Sequence, residues 1–375
     1  MRMYLMHSLM RRVEVKMENK EVARRLTKLG EDIVDEIKLE ESPQIRIPQR
    51  GIGNIIFNEK KNILELGNKK STRSFMNVAH SRKFMQTILI ANKCKEFVGR
   101  DKTASIRELY YQLKHTLPGT KENTFEDQSE SDPLIVDLEM ALGVLREELH
   151  LKADDKGTLI GKIKIEDSGD VIDCSKLGRS GLSIPSIVEH YNFMDFKADY
   201  VLVIETGAMF DRLVEEKFHL KNDCIMVSTK GQAARGCRRL VHRLRTELNL
   251  PVIMFTDGDP WGYYIYSVMK AGSMALAHES RRLGTPSLSL VGMTMTDIDT
   301  YGLDKVTETL KDLDRKRIKE LLHYPWFQKK QWKKELELMA NKGVRIEQQA
   351  LASKSLEFVA EEYLPEKIEK KIMLP

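Results

Sequence analysis

From residue 199 onward the chain alternates short apolar runs with amphipathic stretches, and this alternation constrains the fold more than any other feature. The runs at 200–204, 224–227, 252–255 and 287–291 read as buried strands, with helices at 208–217, 233–248 and 261–277 between them. Strand and helix in steady succession imply a parallel α/β sheet, because neighbouring parallel strands need a crossover and a helix is the usual one. Ligands of such sheets gather at the carboxyl ends of the strands.

Two of those ends carry acids. Val201-Leu202-Val203-Ile204 stops at Glu205, and Val252-Ile253-Met254-Phe255-Thr256 stops at Asp257-Gly258-Asp259, so three carboxylates emerge at one sheet edge. Hard oxygen donors with no His or Cys among them select Mg²⁺ or Mn²⁺ over zinc. Capping of the helices that follow explains one such acid readily but three less well. Between these acids, residues 229–245 contain Lys230, Arg235, Arg238, Arg239, Arg243 and Arg245 and no acid at all. A solvated helix normally intersperses Glu to form i,i+4 pairs, so this run is expected to be a phosphate-binding face rather than a solvated surface.

Upstream, helical periodicity appears at 81–98, 105–117 and 133–150. It is followed by β-like runs at 159–165 and 171–175 joined by Asp167-Ser168-Gly169-Asp170, a hairpin signature. Three helices and a hairpin predict a winged-helix (CAP-like) domain, a fold that often docks a helix into duplex DNA. In its second helix Ile106, Leu109, Tyr110, Leu113 and Leu117 share one face. Tyr111 falls on the other face, one turn from Arg107 and beside Lys114 and His115. Cations there can hold a phosphate and favour the phenolate, which makes Tyr111 a candidate nucleophile toward a phosphodiester. Most surface tyrosines beside arginines only pack or hydrogen-bond, and the residue alone does not decide between these roles.

The rest of the chain sets limits. An amphipathic helix is expected over 17–41, with Val22, Leu26, Leu29, Ile33, Val34 and Ile37 at helical spacing, and a small strand extension over 45–66 with a turn at Gly51 and Gly53. The expected organisation is a multidomain α/β chain: an extension over 1–72, a winged-helix domain over 73–182, and a parallel-sheet domain with a C-terminal helical segment over 183–375. The 61 Lys and Arg nearly balance 56 Asp and Glu, and 41% hydrophobic residues exclude a disordered polyelectrolyte. No run approaches the ~18 apolar residues of a membrane span. The first ten residues resemble a signal core, but His7 interrupts them and Arg11 and Arg12 follow, so Met17 is an expected alternative start. Cys94, Cys174, Cys224 and Cys237 form no C-x-x-C pair, which fits a reduced, cytoplasmic setting. No G-x-x-x-x-G-K-[ST] occurs, so any ATP dependence is expected to come from a partner.

Taken together, these residues resemble the A-subunit family of topoisomerase VI, the type IIB DNA topoisomerases, whose eukaryotic relatives make meiotic double-strand breaks. The resemblance runs from about residue 20 to near the end. It rests on Arg107-Glu108-Leu109-Tyr110-Tyr111, the stretch 125–132, Leu145-Arg146-Glu147, the Toprim signature Val203-Ile204-Glu205 with Asp257-Gly258-Asp259-Pro260, Glu347-Gln348-Gln349-Ala350-Leu351, and Tyr363-Leu364-Pro365-Glu366-Lys367. It implies a Toprim fold for the parallel-sheet domain, Tyr111 as the DNA-cleaving tyrosine assisted by Arg107, and Glu205, Asp257 and Asp259 as the Mg²⁺ site, with Glu205 a ligand, an acid/base or both. Lys114, Lys230, Arg235, Arg238 and Arg239 are the expected DNA contacts. The implied partners are duplex DNA, a second copy of the chain as a homodimer, and a GHKL-type ATPase B subunit in an A2B2 heterotetramer acting on the nucleoid. Meiotic relatives usually carry Lys after the Toprim glutamate, where this chain has Thr206. Three alternatives stay open: a Toprim nuclease, a meiotic-type break-forming protein without strand passage, and a noncatalytic DNA-binding protein.

Overall fold

The computed structural model describes residues 2–375, with side chains from residue 19 onward. Met1 and the side chain of Met17, the expected alternative start, lie outside the described residues. Two compact units divide the chain: residues 1–56 with 66–154, and residues 57–65 with 155–375.

In the first unit α1 (Arg2–Lys38) is followed by β1 (Gln44–Pro48) and β2 (Lys70–Ser74), which pair antiparallel. Ile45 and Ile47 alternate inward from β1 and bury against Phe84 and Met140. Helices α2 (Val78–Arg100), α3 (Ile106–Leu113) and α4 (Gln128–Leu142) close around Ile90, Cys94, Leu109, Leu113, Leu134 and Leu138, with Val22 and Leu26 of α1 packed among them. Each fully buried aliphatic side chain here contributes roughly 1.5–3 kcal/mol.

The ends of α3 and α4 differ from the sequence expectation. α3 stops at Leu113 because Thr124 Oγ1 takes the Leu113 carbonyl and the chain leaves through an extended Lys114. α4 starts before Pro133 because Asp127 caps it, its carboxylate accepting from Ser129 N at 2.8 Å. It ends at Leu142 because Gly143 turns left-handed at φ 66°.

The second unit opens with β3 (Thr158–Gly161), β4 (Ile163–Asp167), β5 (Asp170–Asp173), β6 (Leu182–Ser183) and β7 (Asn192–Phe196). Then come β8 (Tyr200–Ile204), α5 (Gly207–Glu215), β9 (Cys224–Ser228), α6 (Arg235–Glu247), β10 (Val252–Phe255), α7 (Pro260–Ala271) and β11 (Ser289–Gly292). β4 and β5 form the expected hairpin, turning at Ser168 and Gly169, both with positive φ. β7 adds a third strand beside β4. The run 159–165 is therefore not one strand: β3 leaves the hairpin and pairs antiparallel with β9 in the larger sheet. The hairpin expected as the wing of a winged helix sits in the second unit, apart from the three helices it was grouped with.

The large sheet runs in the order β6-β3-β9-β8-β10-β11, with β9, β8, β10 and β11 mutually parallel as the strand and helix alternation requires. After β8 the chain crosses to one side to make β9, then returns to the other side to make β10. This reversal opens a crevice at the carboxyl end of β8, where ligands of open α/β sheets bind.

The C-terminal segment returns to the β11 edge. Asp297, on α8 (Met295–Tyr301), is buried and accepts from Lys367 Nζ at 2.6 and 2.7 Å and from the Tyr363 hydroxyl at 2.6 Å. Leu374 exchanges two backbone hydrogen bonds of 2.8 Å with Leu290, covering the β11 edge. Removing one partner of a buried ion pair leaves the other charge uncompensated. Lys367→Met is therefore expected to cost ~3–5 kcal/mol in urea unfolding; a loss below about 1 kcal/mol contradicts this reading of the C-terminal clasp.

Candidate active site

The strand register brings the acids together. Ile204 of β8 lies opposite Phe255 of β10, and Glu205 N donates to Phe255 O at 3.0 Å, so the residues just beyond both strands are neighbours. The Glu205 carboxylate accepts from Asp257 N at 3.1 Å. Asp257 Oδ1 accepts from Gln348 N at 2.8 Å, and Asp259 Oδ1 accepts from Gly262 N at 2.6 Å. Helix capping thus explains Asp259, the N-cap of α7, but neither Glu205 nor Asp257. Gly262 is required here because a Cβ would meet Asp257 O at 2.4 Å.

Burial and mutual repulsion make the charged forms costly. Glu205 is pushed up to about 8, first by burial and then by Asp257 and Asp259, while the Asp257 N–H opposes the rise. Asp257 rises to about 6, mainly through burial, with Asp259 and Glu347 adding to the shift and Gln348 opposing it. Asp259 also moves upward by burial, held back by Gly262 N and Arg345. Like-charged carboxylates held near one another out of water are the environment in which a cation replaces protons. Among the described residues no three His, Cys, Asp or Glu side chains form a closed cage. A Mg²⁺ ion is commonly held by one or two carboxylates and several waters, and Glu205 and Asp257 fit that mode of binding.

Sequence reasoning had no independent reason to bring residues 344–348 to this edge. Gly258 and Ile346 exchange backbone hydrogen bonds of 2.8 and 3.1 Å, which carries Glu347 and Gln348 to the acids. The only sequence signal was the Glu347-Gln348-Gln349 motif itself. Lys230 is exposed at φ 52°, and the adjacent Gly231 N donates to Glu205 O at 2.8 Å, so this cation stands beside the acidic edge.

The tyrosine belongs to the first unit. α3 begins with a capping box, Ser105 and Glu108 exchanging hydrogen bonds, which fixes the helix start at Ile106. Leu109, Tyr110 and Leu113 anchor the helix in the core, leaving Tyr111 62% exposed and Arg107 exposed one turn earlier. Lys114, an expected DNA contact, is exposed but anchored. Its Nζ donates to the Tyr110 hydroxyl at 3.0 Å and to Glu126 O at 3.2 Å, and Tyr110 donates to the same carbonyl at 3.1 Å. The Tyr110 hydrogen bond holds the Lys114 pKa above its ordinary value. The ring of Tyr110, 5.1 Å from that of Tyr111, is thereby pinned beside the exposed phenol.

The arginine helix overturns the sequence expectation. Arg235 and Arg238, expected at a phosphate-binding face, are 8% and 3% exposed and both pair with the fully buried Glu279, at 3.2 and 2.5 Å. Arg239 pairs with Glu189 at 2.7 Å. Arg243 is held by Glu247 at 2.6 Å and by the carbonyls of Val188 and Tyr191, and Arg245 by Asn249 at 2.7 Å. The acids that neutralise this helix lie outside the 229–245 window, so local composition could not reveal them.

Comparison with known proteins assigns a family to each stretch of the chain that carries these residues. Residues 82–151 match the family described as Type IIB DNA topoisomerase, and 154–197 the All-beta domain in DNA topoisomerase VI alpha subunit. Residues 200–368 match the Toprim domain that the A chain of topoisomerase 6 shares with Spo11. The chain is 53% identical over 364 residues to the A component of the type 2 DNA topoisomerase 6 of Pyrococcus abyssi, covering 94% of this chain and 95% of that protein. The Pyrococcus horikoshii protein of the same name gives the same figures: 53%, 94% and 95%. The Hyperthermus butylicus protein is 42% identical over 90% of this chain and 92% of its own length. This chain belongs to the A-subunit family of topoisomerase VI. As a member it is a DNA topoisomerase subunit with a Toprim domain, and the acidic edge of β8 and β10 lies within the residues matched to that domain.

Two outcomes test the site as described. Arg238→Met leaves Glu279 buried with one partner fewer and is expected to cost ~3–5 kcal/mol in urea unfolding. It should leave the salt dependence of duplex binding unchanged, whereas losing a phosphate contact lowers that slope by about 1. The second outcome concerns pH. Glu205 binds its proton more tightly folded than at its ordinary value of 4.5, so without metal its contribution to stability falls as pH rises from 4.5 to about 8. In EDTA, Glu205→Gln should therefore gain melting temperature relative to wild type between about pH 5 and about pH 8. A pH-independent difference contradicts the shift.

Proposed function

We propose that the chain is the DNA-cleaving subunit of an ATP-dependent type IIB topoisomerase and that Tyr111 is its nucleophile. The observation that carries this reading is an exposed tyrosine one turn from an exposed arginine, on a helix whose opposite face is locked into a core. The Tyr111 phenolic oxygen attacks a backbone phosphorus and the bond to the 3′ oxygen breaks. The protein is left on the 5′ phosphate and a 3′ hydroxyl is released. The proton lost by the phenol balances the one gained by the leaving oxygen, no water is consumed, and the ester bond is kept for resealing.

Arg107 is placed to hold the non-bridging oxygens of the attacked phosphate. Glu205 and Asp257, with Asp259 shaping the turn between them and α7, would hold Mg²⁺. When bound, that ion offsets charge on the phosphate and on the leaving oxygen. Lys230, exposed beside the acids, is the cation we assign to the DNA backbone in this unit. Helices α2, α3 and α4 would act as a winged-helix-like platform for duplex DNA, with the Tyr111 face of α3 toward the backbone. Two copies of the chain cut one strand each. ATP binding and strand passage require a GHKL-type B subunit in an A2B2 assembly.

The test is a covalent-complex assay with the cognate B subunit, supercoiled plasmid, Mg²⁺ and a nonhydrolysable ATP analogue, quenched with detergent. Wild type should give linear DNA with protein on both 5′ ends, and Tyr111→Phe should give none. Cleavage that persists in Tyr111→Phe assigns the nucleophile elsewhere or makes the reaction hydrolytic.

A further inference from the structure

Gln348 has a side chain that the fold does not satisfy. It is 0% exposed, yet neither its Oε1 nor its Nε2 has a hydrogen-bond partner among the described residues. A buried carboxamide carries two donors and two acceptor sites, and leaving them all unpaired opposes folding unless something at the site uses them. Its position says what that is. The Gly258–Ile346 bridge fixes the register of the closing segment, and Gln348 N donates to Asp257 Oδ1 at 2.8 Å. Its carboxamide lies close enough to Asp257 to favour that carboxylate's charged form. The amide N–H is thus turned toward the carboxylate assigned to the cation, and the amide oxygen beside it has no partner.

We propose that Gln348 is a positioning residue of the divalent-cation site. Its backbone N–H orients Asp257, and its amide oxygen finds a partner only when a hydrated cation occupies the acidic edge. The inference rests on the reading of Glu205 and Asp257 as the cation's ligands. An amide oxygen suits a hard, hydrated ion because it accepts from metal-bound water without adding charge to an edge where burial, and then repulsion, already raises two carboxylates.

Gln348→Met isolates the carboxamide, since it keeps the volume and the backbone N–H that holds Asp257. The experiment titrates Mn²⁺ into the full chain by electron paramagnetic resonance, beside melting curves in EDTA, for wild type, Asp257→Asn and Gln348→Met. The expected result is that Gln348→Met melts in EDTA at or above the wild-type temperature yet binds Mn²⁺ roughly tenfold or more weakly, the usual effect of losing an outer-shell partner. A side chain with only a packing role would show the reverse, a lower melting temperature and unchanged Mn²⁺ affinity. Unchanged affinity overturns the proposal whatever the stability.

If Gln348→Met does not fold, Gln348→Glu replaces it. Mn²⁺ should then raise its melting temperature by more than it raises that of wild type, and an equal or smaller rise overturns the proposal. Asp257→Asn separates the two claims. If it binds Mn²⁺ as wild type does, the cation reading itself has failed. If it loses binding while Gln348→Met keeps it, only the role of Gln348 has failed.

Discussion

Repulsion between carboxylates held out of water at one sheet edge is the constraint around which the second unit is arranged. Glu205 ends the central strand and Asp257 follows its parallel neighbour, so the strand order alone makes them adjacent. Each is oriented by a backbone N–H, from Asp257 and from Gln348, rather than paired with a basic side chain. A backbone donor fixes direction without cancelling charge, so the edge keeps its demand for a cation. The segment bridged to Gly258 through Ile346 supplies the second of those donors.

The first unit solves a different problem, how to expose an aromatic ring rigidly. Tyr111 is kept at the surface because its neighbours on α3 are committed elsewhere: Leu109 and Leu113 to the core, Tyr110 and Lys114 to the Glu126 carbonyl. The capping box at Ser105 and Glu108 fixes where the short helix starts. Tolerance at the surface and rigidity beneath it are combined in a single two-turn element.

What the sequence made legible was whatever is encoded locally. The periods of the strands and helices, the acids that end them, and the split of Tyr110 and Tyr111 onto opposite faces can all be read within windows of a few residues. What it hid depends on contacts between distant segments. The arginines of α6 looked unpaired because Glu279 and Glu189 lie some 40–50 positions away in the chain. The run at 159–165 looked like one strand of a hairpin because nothing in it announces that β3 pairs with β9. α3 looked longer because Leu117 continues the apolar spacing, while Thr124 ends the helix from outside it. Gln348 stood inside a quoted motif, yet its role depends on a bridge to Gly258 that no local pattern encodes.

The account turns on one atom, the phenolic oxygen of Tyr111, and its fate can be read directly. The DNA-linked protein formed in the presence of Mg²⁺ with the B subunit is digested with nuclease and protease, and the modified peptide is sequenced by mass spectrometry. The account predicts a nucleotide joined through its 5′ phosphate to Tyr111. A nucleotide on Tyr110 or on any other residue, or cleaved DNA bearing free 5′ phosphates, would contradict it.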